Sequence, residues 1–378
     1  MKKYILFLSF LFLNISFLSG KAMENFIDTI SIEYKNGVVL VPVTIDGVSY
    51  PFILDTGASR GFVYKSSSFT MHKSDKKYYT MDVNQKTGTL DITQPMEIKI
   101  GNYIIPNYQF SIMGGTGFDC FSEGIIGFNM FENVIMKIDV RNNILILTNQ
   151  KQLFEKEYGI DVKYKTKNSR PAISYNIASS KSDWAIFDTG ANLFFQYDIN
   201  KLKYNPELAN QVVWSDTGRT TYSVHGLGDS SKVAFINPRV FAVGDISFNN
   251  AHIQAKEGES FLGAKILEYC AVIIDPFSKK IKFEPYSMSK TIEMKGTEKN
   301  EVISFVDSKL TIVMINENSK LYKLGARKND VILEIDGVIV SDICSLLAIK
   351  NALSDTSNHK LKMIDLNGNL KMFEINNK

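Results

Sequence analysis

The tetrapeptide Asp-Thr-Gly-Ala occurs twice in this chain of 378 residues, at positions 55–58 and 188–191. An apolar run precedes each copy, Phe52-Ile53-Leu54 in the first and Ala185-Ile186-Phe187 in the second. Chance would place a single Asp-Thr-Gly in roughly a tenth of chains of this length, but two copies behind two apolar runs are much harder to explain by chance. If Asp55 and Asp188 come face to face, one carboxyl keeps a proton while the other acts as a base. Such a pair can activate a water molecule and protonate a leaving amine.

The alternative for either aspartate is a structural role, as an Asx-turn residue at the end of a strand. That role would account for one copy of the tetrapeptide without any chemistry. It accounts less well for two copies in matching surroundings, so the repeat favours the chemical interpretation.

The similarity between the two halves extends upstream of the tetrapeptides. Apolar alternation and turn residues predict a strand, a turn and a second strand before each aspartate. In that order the segments are Val38–Ile45, Asp46-Gly47 and Val48–Leu54 in the first half, and Ala172–Ile177, Ser179–Ser182 and Trp184–Phe187 in the second.

A pair of apolar residues followed by glycine lies downstream of each tetrapeptide. Gly127 comes 72 residues after Asp55, and Gly263 comes 75 residues after Asp188. If a later strand passes close to each Asp-Thr-Gly turn, a side chain there would clash, and glycine permits the approach. Ordinary strand-ending glycines are the alternative. The repeated order predicts a mainly β fold with two homologous β-rich lobes, 23–152 and 153–287.

The remainder of the chain predicts a third unit. Residues 288–300 are polar and aperiodic, which indicates a linker. Beyond them, residues 301–378 predict a small α+β domain. Its expected strands are Val302–Phe305, Leu310–Ile315, Val331–Ile335, Val338–Val340, Lys360–Ile364 and Leu370–Ile375, and its expected helices are Ser319–Ala326 and Ser341–Leu353.

Residues 1–22 are typical of a secretory signal peptide. Lys2 and Lys3 precede an apolar stretch that ends near Leu18, and Gly20 and Ala22 are the small residues that a signal peptidase needs. An uncleaved membrane anchor is the alternative, but the stretch is short for a bilayer span. We therefore expect an exported protein, periplasmic or extracellular, without stable membrane insertion after cleavage.

The charged residues and the cysteines exclude several kinds of partner. The chain has 43 basic and 40 acidic residues, and residues 1–22 contain three lysines and no acid. The remaining chain is therefore neutral and has no basic block for nucleic acid. Three cysteines (Cys120, Cys270, Cys344) and four scattered histidines predict neither a metal site nor a cofactor. One disulfide is conceivable, but buried free thiols are the favoured expectation.

The paired turns and their downstream glycines resemble the aspartic proteases of the pepsin and retroviral-protease type. The likeness covers about 265 residues and implies a bilobal monomer that cleaves polypeptides. It implies that Asp55 and Asp188 hold the attacking water. It implies further that Thr56 and Thr189 hydrogen-bond across the lobe interface, and that Gly57 and Gly190 leave amides free for the carboxylates.

The resemblance also carries an expectation about pH and one about the hairpin that covers the cleft. Pepsins usually have Ser or Thr where this chain has Ala58 and Ala191, so the carboxyl pair should be less acidic here and the pH optimum nearer neutral.

The covering hairpin should lie near 78–90, with its tip at 86–88. Its candidate residues are Tyr79 and Gly88 in the first lobe and Gly226 and Gly228 in the second. Tyr79 would gate substrate or pack in the lobe, and His225 is expected to be a loop residue.

The segment Leu324–Gly337 resembles the signature of PDZ domains attached to periplasmic proteases. That likeness implies a peptide or protein ligand for the third unit. The region 301–310 lacks the glycines of a carboxylate-gripping loop, so the unit either binds a peptide terminus or docks on the two lobes.

Three functional hypotheses remain at this stage. The first is an exported aspartic endopeptidase, for which no pro-segment is expected between Ala22 and Val38. The second is a catalytically silent protein that binds peptides as a scaffold in the cell envelope. The third is a structural envelope protein without either activity.

Overall fold

The computed structural model describes residues 25–114, 118–178, 182–295, 298–340 and 357–375. The predicted signal peptide and the helix predicted at 341–353 lie outside the described residues. The fold is mainly β, which confirms the fold class expected from the sequence. In the described part of the chain, no helix has the length and apolar character needed to cross a bilayer.

The first β-rich lobe is built around two adjacent antiparallel strands, and the second of them ends at Asp55. Asp46 and Gly47 turn the chain between them with positive φ angles of 51° and 80°, the geometry that tight hairpins need. Short 3₁₀ turns lie at Phe118–Cys120, Phe128–Phe131 and Lys151–Phe154. The strands are Ile27–Ser31, Glu33–Lys35, Val38–Ile45, Val48–Asp55, Phe62–Tyr64, Lys73–Met81, Thr87–Thr93, Met96–Ile100, Tyr103–Tyr108, Ser111–Met113, Gly124–Gly127, Ile135–Asp139 and Ile144–Thr148.

The second lobe repeats this plan around Asp188. Its helical segments are Ile199–Tyr204, Pro206–Ala209 and Ala264–Glu268. Its strands are Ile160–Lys167, Arg170–Ile177, Asp183–Asp188, Phe195–Asp198, Val212–Gly218, Tyr222–Ser223, Gly226–Leu227, Ser231–Ile236, Phe241–Val243, Ile246–Asn249, Ile253–Lys256, Phe261–Gly263, Cys270–Asp275 and Lys280–Pro285.

The duplication is visible in the strand pairing. Strand Gly124–Gly127 runs parallel to the strand that ends at Asp55, and Phe261–Gly263 runs parallel to the strand that ends at Asp188. Because parallel strands in register end at the same level, Gly127 lies beside Asp55 and Gly263 beside Asp188. Each repeated aspartate is therefore held at the end of an apolar strand inside a sheet.

The two lobes are joined by a shared sheet. Met136–Ile138 of the first lobe pairs antiparallel with Val272–Ile274 of the second, and one hydrophobic cluster of buried residues runs through both lobes. Burial of such a continuous apolar surface supplies the main stabilisation of the pair. The relative position of the two aspartate turns is consequently fixed by the core and not by a flexible connection.

The segment predicted as a linker is partly structured, so that prediction is wrong for residues 291–293. Thr291–Glu293 forms a strand parallel to Ile246–Asn249 of the second lobe, and Ile292 is buried in the common core. The polar neighbours of Ile292 conceal this strand in the sequence, because three residues are too few to show a period of two.

The C-terminal module, residues 301–340 and 357–375, has all six expected strands in the described part of the chain. They are Glu301–Val306, Lys309–Ile315, Val331–Ile335, Val338–Ile339, His359–Ile364 and Leu370–Ile375, and they form one sheet around a separate apolar cluster. A short helix, Lys320–Lys323, begins at Ser319, whose hydroxyl accepts from the amides of Leu321 and Tyr322, as helix-capping serines do.

The cysteines differ in state. Cys120 is disulfide-bonded, so the expectation of a free thiol is wrong there. Cys270 is a buried free thiol, and Cys344 lies outside the described residues. Burial raises the pKa of the Cys270 thiol to about 12, which keeps it protonated and unreactive.

Candidate active site

The two Asp-Thr-Gly turns meet at the boundary between the lobes. Each aspartate retains partial solvent exposure, while the threonine that follows it is fully buried. The fold thus brings together Asp55 and Asp188, which are 133 positions apart in the sequence. Their carboxyl groups hydrogen-bond to each other.

Four hydrogen bonds between Thr56 and Thr189 and the opposite turns fix this arrangement. The amide of Thr56 donates to Oγ1 of Thr189 at 3.0 Å, and the amide of Thr189 donates to Oγ1 of Thr56 at 3.1 Å. The Thr56 hydroxyl donates to the carbonyl of Phe187 at 2.6 Å, and the Thr189 hydroxyl donates to the carbonyl of Leu54 at 2.7 Å. Every polar atom of both side chains therefore has a partner, as buried hydroxyls require.

Backbone amides stabilise the carboxylates from below. The amide of Ala58 donates to Oδ1 of Asp55 at 2.9 Å, and the amide of Gly190 donates to Oδ1 of Asp188 at 3.0 Å. Such donation favours the ionised form of a carboxyl group.

Gly57 and Gly190 also have a steric role that the sequence did not reveal. A Cβ atom on Gly57 would overlap the carboxyl group of Asp188, and one on Gly190 would overlap that of Asp55. Each glycine therefore leaves the space that the carboxyl group of the opposite lobe occupies. Any side chain at either position would push the two carboxyl groups apart.

The downstream glycines permit the close approach that was expected of them. A Cβ atom on Gly127 would overlap the backbone of Arg60, and one on Gly263 would overlap the carbonyl oxygens of Ala191 and Leu193. The obstructing atoms belong to the segment just after each Asp-Thr-Gly turn. Because these are backbone atoms and not the ends of flexible side chains, they cannot easily move aside for a side chain.

The pair is electrostatically matched to sharing one proton. Burial raises the pKa of Asp188 well above its usual range, and the neighbouring Asp55 carboxylate raises it further. Burial also raises the pKa of Asp55, although the hydrogen bond from Asp188 and the amides of Ala58 and Gly57 oppose that rise. The two carboxyl groups therefore hold one proton between them and titrate as a unit.

Arg170 is a site residue that sequence reasoning missed. Its positive charge lowers the pKa of both Asp55 and Asp188, and its guanidinium forms an ion pair with Glu259 at 2.8 Å. It lies at the start of the strand that pairs with the one leading into Asp188. No local motif marks this position, because only the pairing of the two strands brings it to the site.

Asn192 follows the second Asp-Thr-Gly-Ala and could have replaced the hydroxyl donor that Ala191 lacks. Its side-chain amide instead donates to the carbonyl of Asn36 in the first lobe, at 2.5 Å. The Asn192 side chain therefore does not supply the hydrogen-bond donor that Ala191 lacks.

One hairpin, which we call the first-lobe hairpin, extends from the sheet that carries Asp55. It comprises strands Lys73–Met81 and Thr87–Thr93, with a turn at 82–86. The expected hairpin is therefore present, but its turn is centred at Asn84, three residues before the centre of the predicted tip. Asp82 closes the turn, because its Oδ1 accepts from the amides of Asn84 and Lys86 at 2.9 and 3.0 Å.

Alternation along this hairpin separates its two tyrosines. Tyr79 is 65% exposed, so the packing role considered for it is wrong. Tyr78 faces the other way, and the guanidinium of Arg60 lies 4.2 Å from its ring centroid. Its cross-strand partner Leu90 packs against the apolar cluster of Phe62, Tyr64 and Met113 together with Ala58. The inner face of the hairpin is therefore the Tyr78 and Leu90 face.

Another hairpin, which we call the second-lobe hairpin, approaches the first-lobe hairpin from the opposite lobe. It comprises strands Val212–Gly218 and Ser231–Ile236 and the loop 219–230, in which Tyr222–Ser223 pairs with Gly226–Leu227. The candidates Gly226 and Gly228 lie in this loop. Gly226 has a φ of +86° and makes the turn, and His225 precedes it in that turn. His225 is thus a loop residue, as expected.

The tips of the two hairpins are hydrogen-bonded to each other. The His225 amide donates to Asp82 Oδ2 at 3.3 Å, Lys86 Nζ to the Leu227 carbonyl at 2.9 Å, and Asn84 Nδ2 to the Thr221 carbonyl at 3.2 Å. Nε2 of His225 also lies 3.4 Å from the Thr80 carbonyl oxygen. A Cβ on Gly88 would meet the His225 ring at 2.8 Å, and one on Gly228 would meet the Asn84 side chain at 2.5 Å. These two glycines therefore permit the contact between the hairpins.

Among the described residues, no group of three or more His, Cys, Asp or Glu side chains is arranged to hold a metal ion. The described site offers instead one proton shared by two carboxyl groups, amide donors beneath each, and a partly exposed edge. Such a site can deliver a base and an acid to opposite sides of one small molecule.

Neither a family model nor a curated protein matches the sequence. Among solved structures, the chain is similar to the aspartic proteinase from Irpex lacteus, with 12% sequence identity and a TM-score of 0.43. That comparison covers 70% of this chain and 98% of the proteinase.

Proposed function

We propose that this protein is an exported aspartic endopeptidase that hydrolyses peptide bonds in polypeptides. The observation that carries the proposal is the reciprocal bonding of Thr56 and Thr189 beneath two hydrogen-bonded carboxyl groups. An Asx turn needs none of these contacts, since it uses only its own backbone. A scaffold protein would gain nothing from two adjacent, partly buried carboxyl groups whose joint ionisation is electrostatically costly.

In the proposed reaction, a water molecule lies between the two carboxyl groups. Asp55, in its ionised form, removes a proton from the water as the water oxygen bonds to the peptide carbonyl carbon. Asp188 donates its proton to the carbonyl oxygen, which gives a neutral tetrahedral diol. Because each carboxyl has a pKa matched to one of these tasks, neither needs a metal or a covalent intermediate.

Breakdown of the diol returns the site to its starting state. The proton acquired by Asp55 passes to the amide nitrogen as the carbon–nitrogen bond breaks. Asp188 recovers a proton from the departing diol hydroxyl, so the products are a carboxylic acid and an amine. The two amides beneath the carboxylates keep their geometry throughout, which avoids reorganisation during the reaction.

Cleavage of an unstructured protein by the purified chain tests the proposal. We expect cleavage that a pepstatin-type inhibitor blocks and that a chelator leaves unchanged. D55N and D188N provide matched inactive variants, and D75N, at an exposed position on the first-lobe hairpin, controls for the loss of one carboxylate. Binding of the peptide without cleavage would favour the silent scaffold, and neither binding nor cleavage would favour a structural envelope protein.

A further inference from the structure

The second-lobe hairpin reaches into the region beside the carboxyl pair. Val224, in its loop, packs on the apolar cluster of Phe62, Tyr64 and Met113, as do Ala58 and Leu90 of the first lobe. Ala58 is also the residue whose amide donates to Asp55. The loop therefore packs on the same apolar cluster as the turn that follows Asp55 and the inner face of the first-lobe hairpin.

The contact between the hairpins is buried as well as hydrogen-bonded. Asp82, Lys256 and Leu227 are exposed by only 8%, 7% and 9%. The ammonium of Lys256 donates to Oδ1 of Asn84 at 3.3 Å and to Oγ1 of Thr221 at 2.6 Å, which bridges the two hairpins. Separation of the hairpins thus requires that charged and polar groups be released together.

The C-terminal module holds this same hairpin from its outer side. Val302, Val313 and Met314 of the module form one apolar cluster with Val233 and Phe235 of the hairpin. Trp214 stacks on Phe235 with ring centroids 4.6 Å apart, and its indole donates to the carbonyl of Lys299 at 2.7 Å. The hairpin strands therefore lie between the module and the rest of the lobe.

Polar contacts extend this attachment from the base of the hairpin to its loop. Lys328 Nζ donates to Oδ1 of Asp216 at 2.8 Å and to the carbonyl of Thr217 at 2.7 Å. The hydroxyl of Tyr222 donates to the carbonyl of Phe305 at 2.8 Å. Tyr222 is two residues from Val224, so the module is bonded directly to the segment beside the carboxyl pair.

We propose that the C-terminal module restrains the second-lobe hairpin and thereby keeps the cleft over Asp55 and Asp188 closed. The inference rests on the proposed function, because the rate of substrate binding is what the closure would limit. A polypeptide reaches the carboxyl pair only after the two hairpins separate. A ligand that breaks the contacts of Lys328 with Asp216 and of Tyr222 with Phe305 would shift the population toward the open form.

Two variants of the full chain weaken the restraint without touching the catalytic turns. K328M removes both donations from the ammonium, and Y222F removes the hydroxyl donation but keeps the ring. K323M is the matched control, since Lys323 is an exposed lysine of the same module with no second-lobe contact in the described structure. N84C with G228C does the opposite, because the two side chains would lie in contact and a disulfide between them would hold the hairpins together.

Hydrogen exchange and kinetics together test the proposal. In Y222F, which loses one hydrogen bond, we expect the amides of 222–227 and 82–86 to exchange about threefold to tenfold faster. In K328M, which loses two, we expect exchange to be faster by at least that factor. We expect kcat/KM for a fluorogenic peptide to rise by a similar factor, with K323M unchanged. The oxidised N84C/G228C protein should be inactive and recover on reduction, with wild type measured under both conditions to correct for the Cys120 disulfide.

The outcomes separate this inference from the proposed function. Unchanged hydrogen exchange in both variants would overturn the proposed restraint. Faster exchange with a lower kcat/KM would also overturn it, because the module would then organise the cleft for catalysis. Faster exchange in a protein that cleaves nothing, in any variant, would support the restraint and refute the endopeptidase.

Discussion

Thr56 and Thr189 are bonded reciprocally, each accepting from the amide of the other and donating to the carbonyl that precedes the opposite aspartate. Because both side chains are fully buried, these bonds are shielded from water and hold the turns at one separation. The positions of Asp55 and Asp188 are therefore a property of the interface between lobes and not of either lobe alone.

Replacement of either threonine by valine should destabilise the protein and reduce activity. T56V or T189V removes a hydroxyl that donates once and accepts once, and leaves a buried carbonyl and a buried amide unpaired. We expect the free energy of unfolding to fall by about 2–4 kcal/mol, measured by urea denaturation. T56S and T189S keep the hydroxyl and should lose much less, so equal losses in the serine and valine variants would contradict this role.

Replacement of Asp55 or Asp188 by asparagine should abolish the proposed cleavage and leave the fold intact. A pair that shares one proton cannot supply both an acid and a base after one carboxyl is lost, so we expect kcat/KM to fall at least about a thousandfold. Thermal unfolding should be unchanged or improved, because burial disfavours the carboxylates that are removed. Activity above a few per cent in D55N or D188N would refute the assignment.

Removal of the Arg170 charge should move the acidic limb of the kcat/KM profile to higher pH. The guanidinium favours the ionised form and so lowers the pKa of both aspartates. R170M therefore raises those pKa values, and a higher pH is needed to ionise Asp55. K167M is the control, since Lys167 also pairs with Glu259.

For wild type, the alanines after each glycine predict an optimum at mildly acidic to near-neutral pH, and a peak below about pH 3 would contradict that.

Glu284 should make the protein less stable as pH rises through the window from about 4.5 to 7. Burial and the neighbouring Glu157 raise the pKa of Glu284 from 4.5 to about 7, against the effect of Lys137. The folded state therefore binds more protons than the unfolded chain in that window, so stability falls with increasing pH there. E284Q should remove the part of this loss that Glu284 contributes, about 1–3 kcal/mol across the window, in unfolding measured at several pH values. E155Q, at an exposed position, should keep it.

The position of the C-terminal cut should decide the stability of a two-lobe fragment. The sequence predicts that residues 23–287 fold and remain monomeric, but Ile292 packs in the second lobe and is 4% exposed. A fragment 23–295 should therefore be more stable than 23–287 by about 2 kcal/mol, the value of one buried isoleucine. Urea unfolding of both fragments measures the difference, and equal midpoints would show that Ile292 contributes nothing.

Much of the site could be predicted from the sequence because its signals are local and repeated. Two identical tetrapeptides behind apolar strands predicted Asp55 and Asp188 as partners, and the matching spacing to Gly127 and Gly263 predicted where glycine was required. Strand alternation and Asp-Gly turns likewise predicted the strands before each aspartate, since these patterns depend on neighbours within a few residues.

The tertiary structure decided the features that depend on residues far apart in the chain. Arg170 influences the pKa of the carboxyl pair only because its strand pairs with the one leading into Asp188. Ile292 is buried only because its strand pairs with a distant one. The inward direction of Tyr78 and the outward direction of Tyr79 follow from the register of a hairpin, since a shift of one residue would exchange them. The contact between the two hairpins, and their attachment to the C-terminal module, likewise arise from packing between segments that share no sequence pattern.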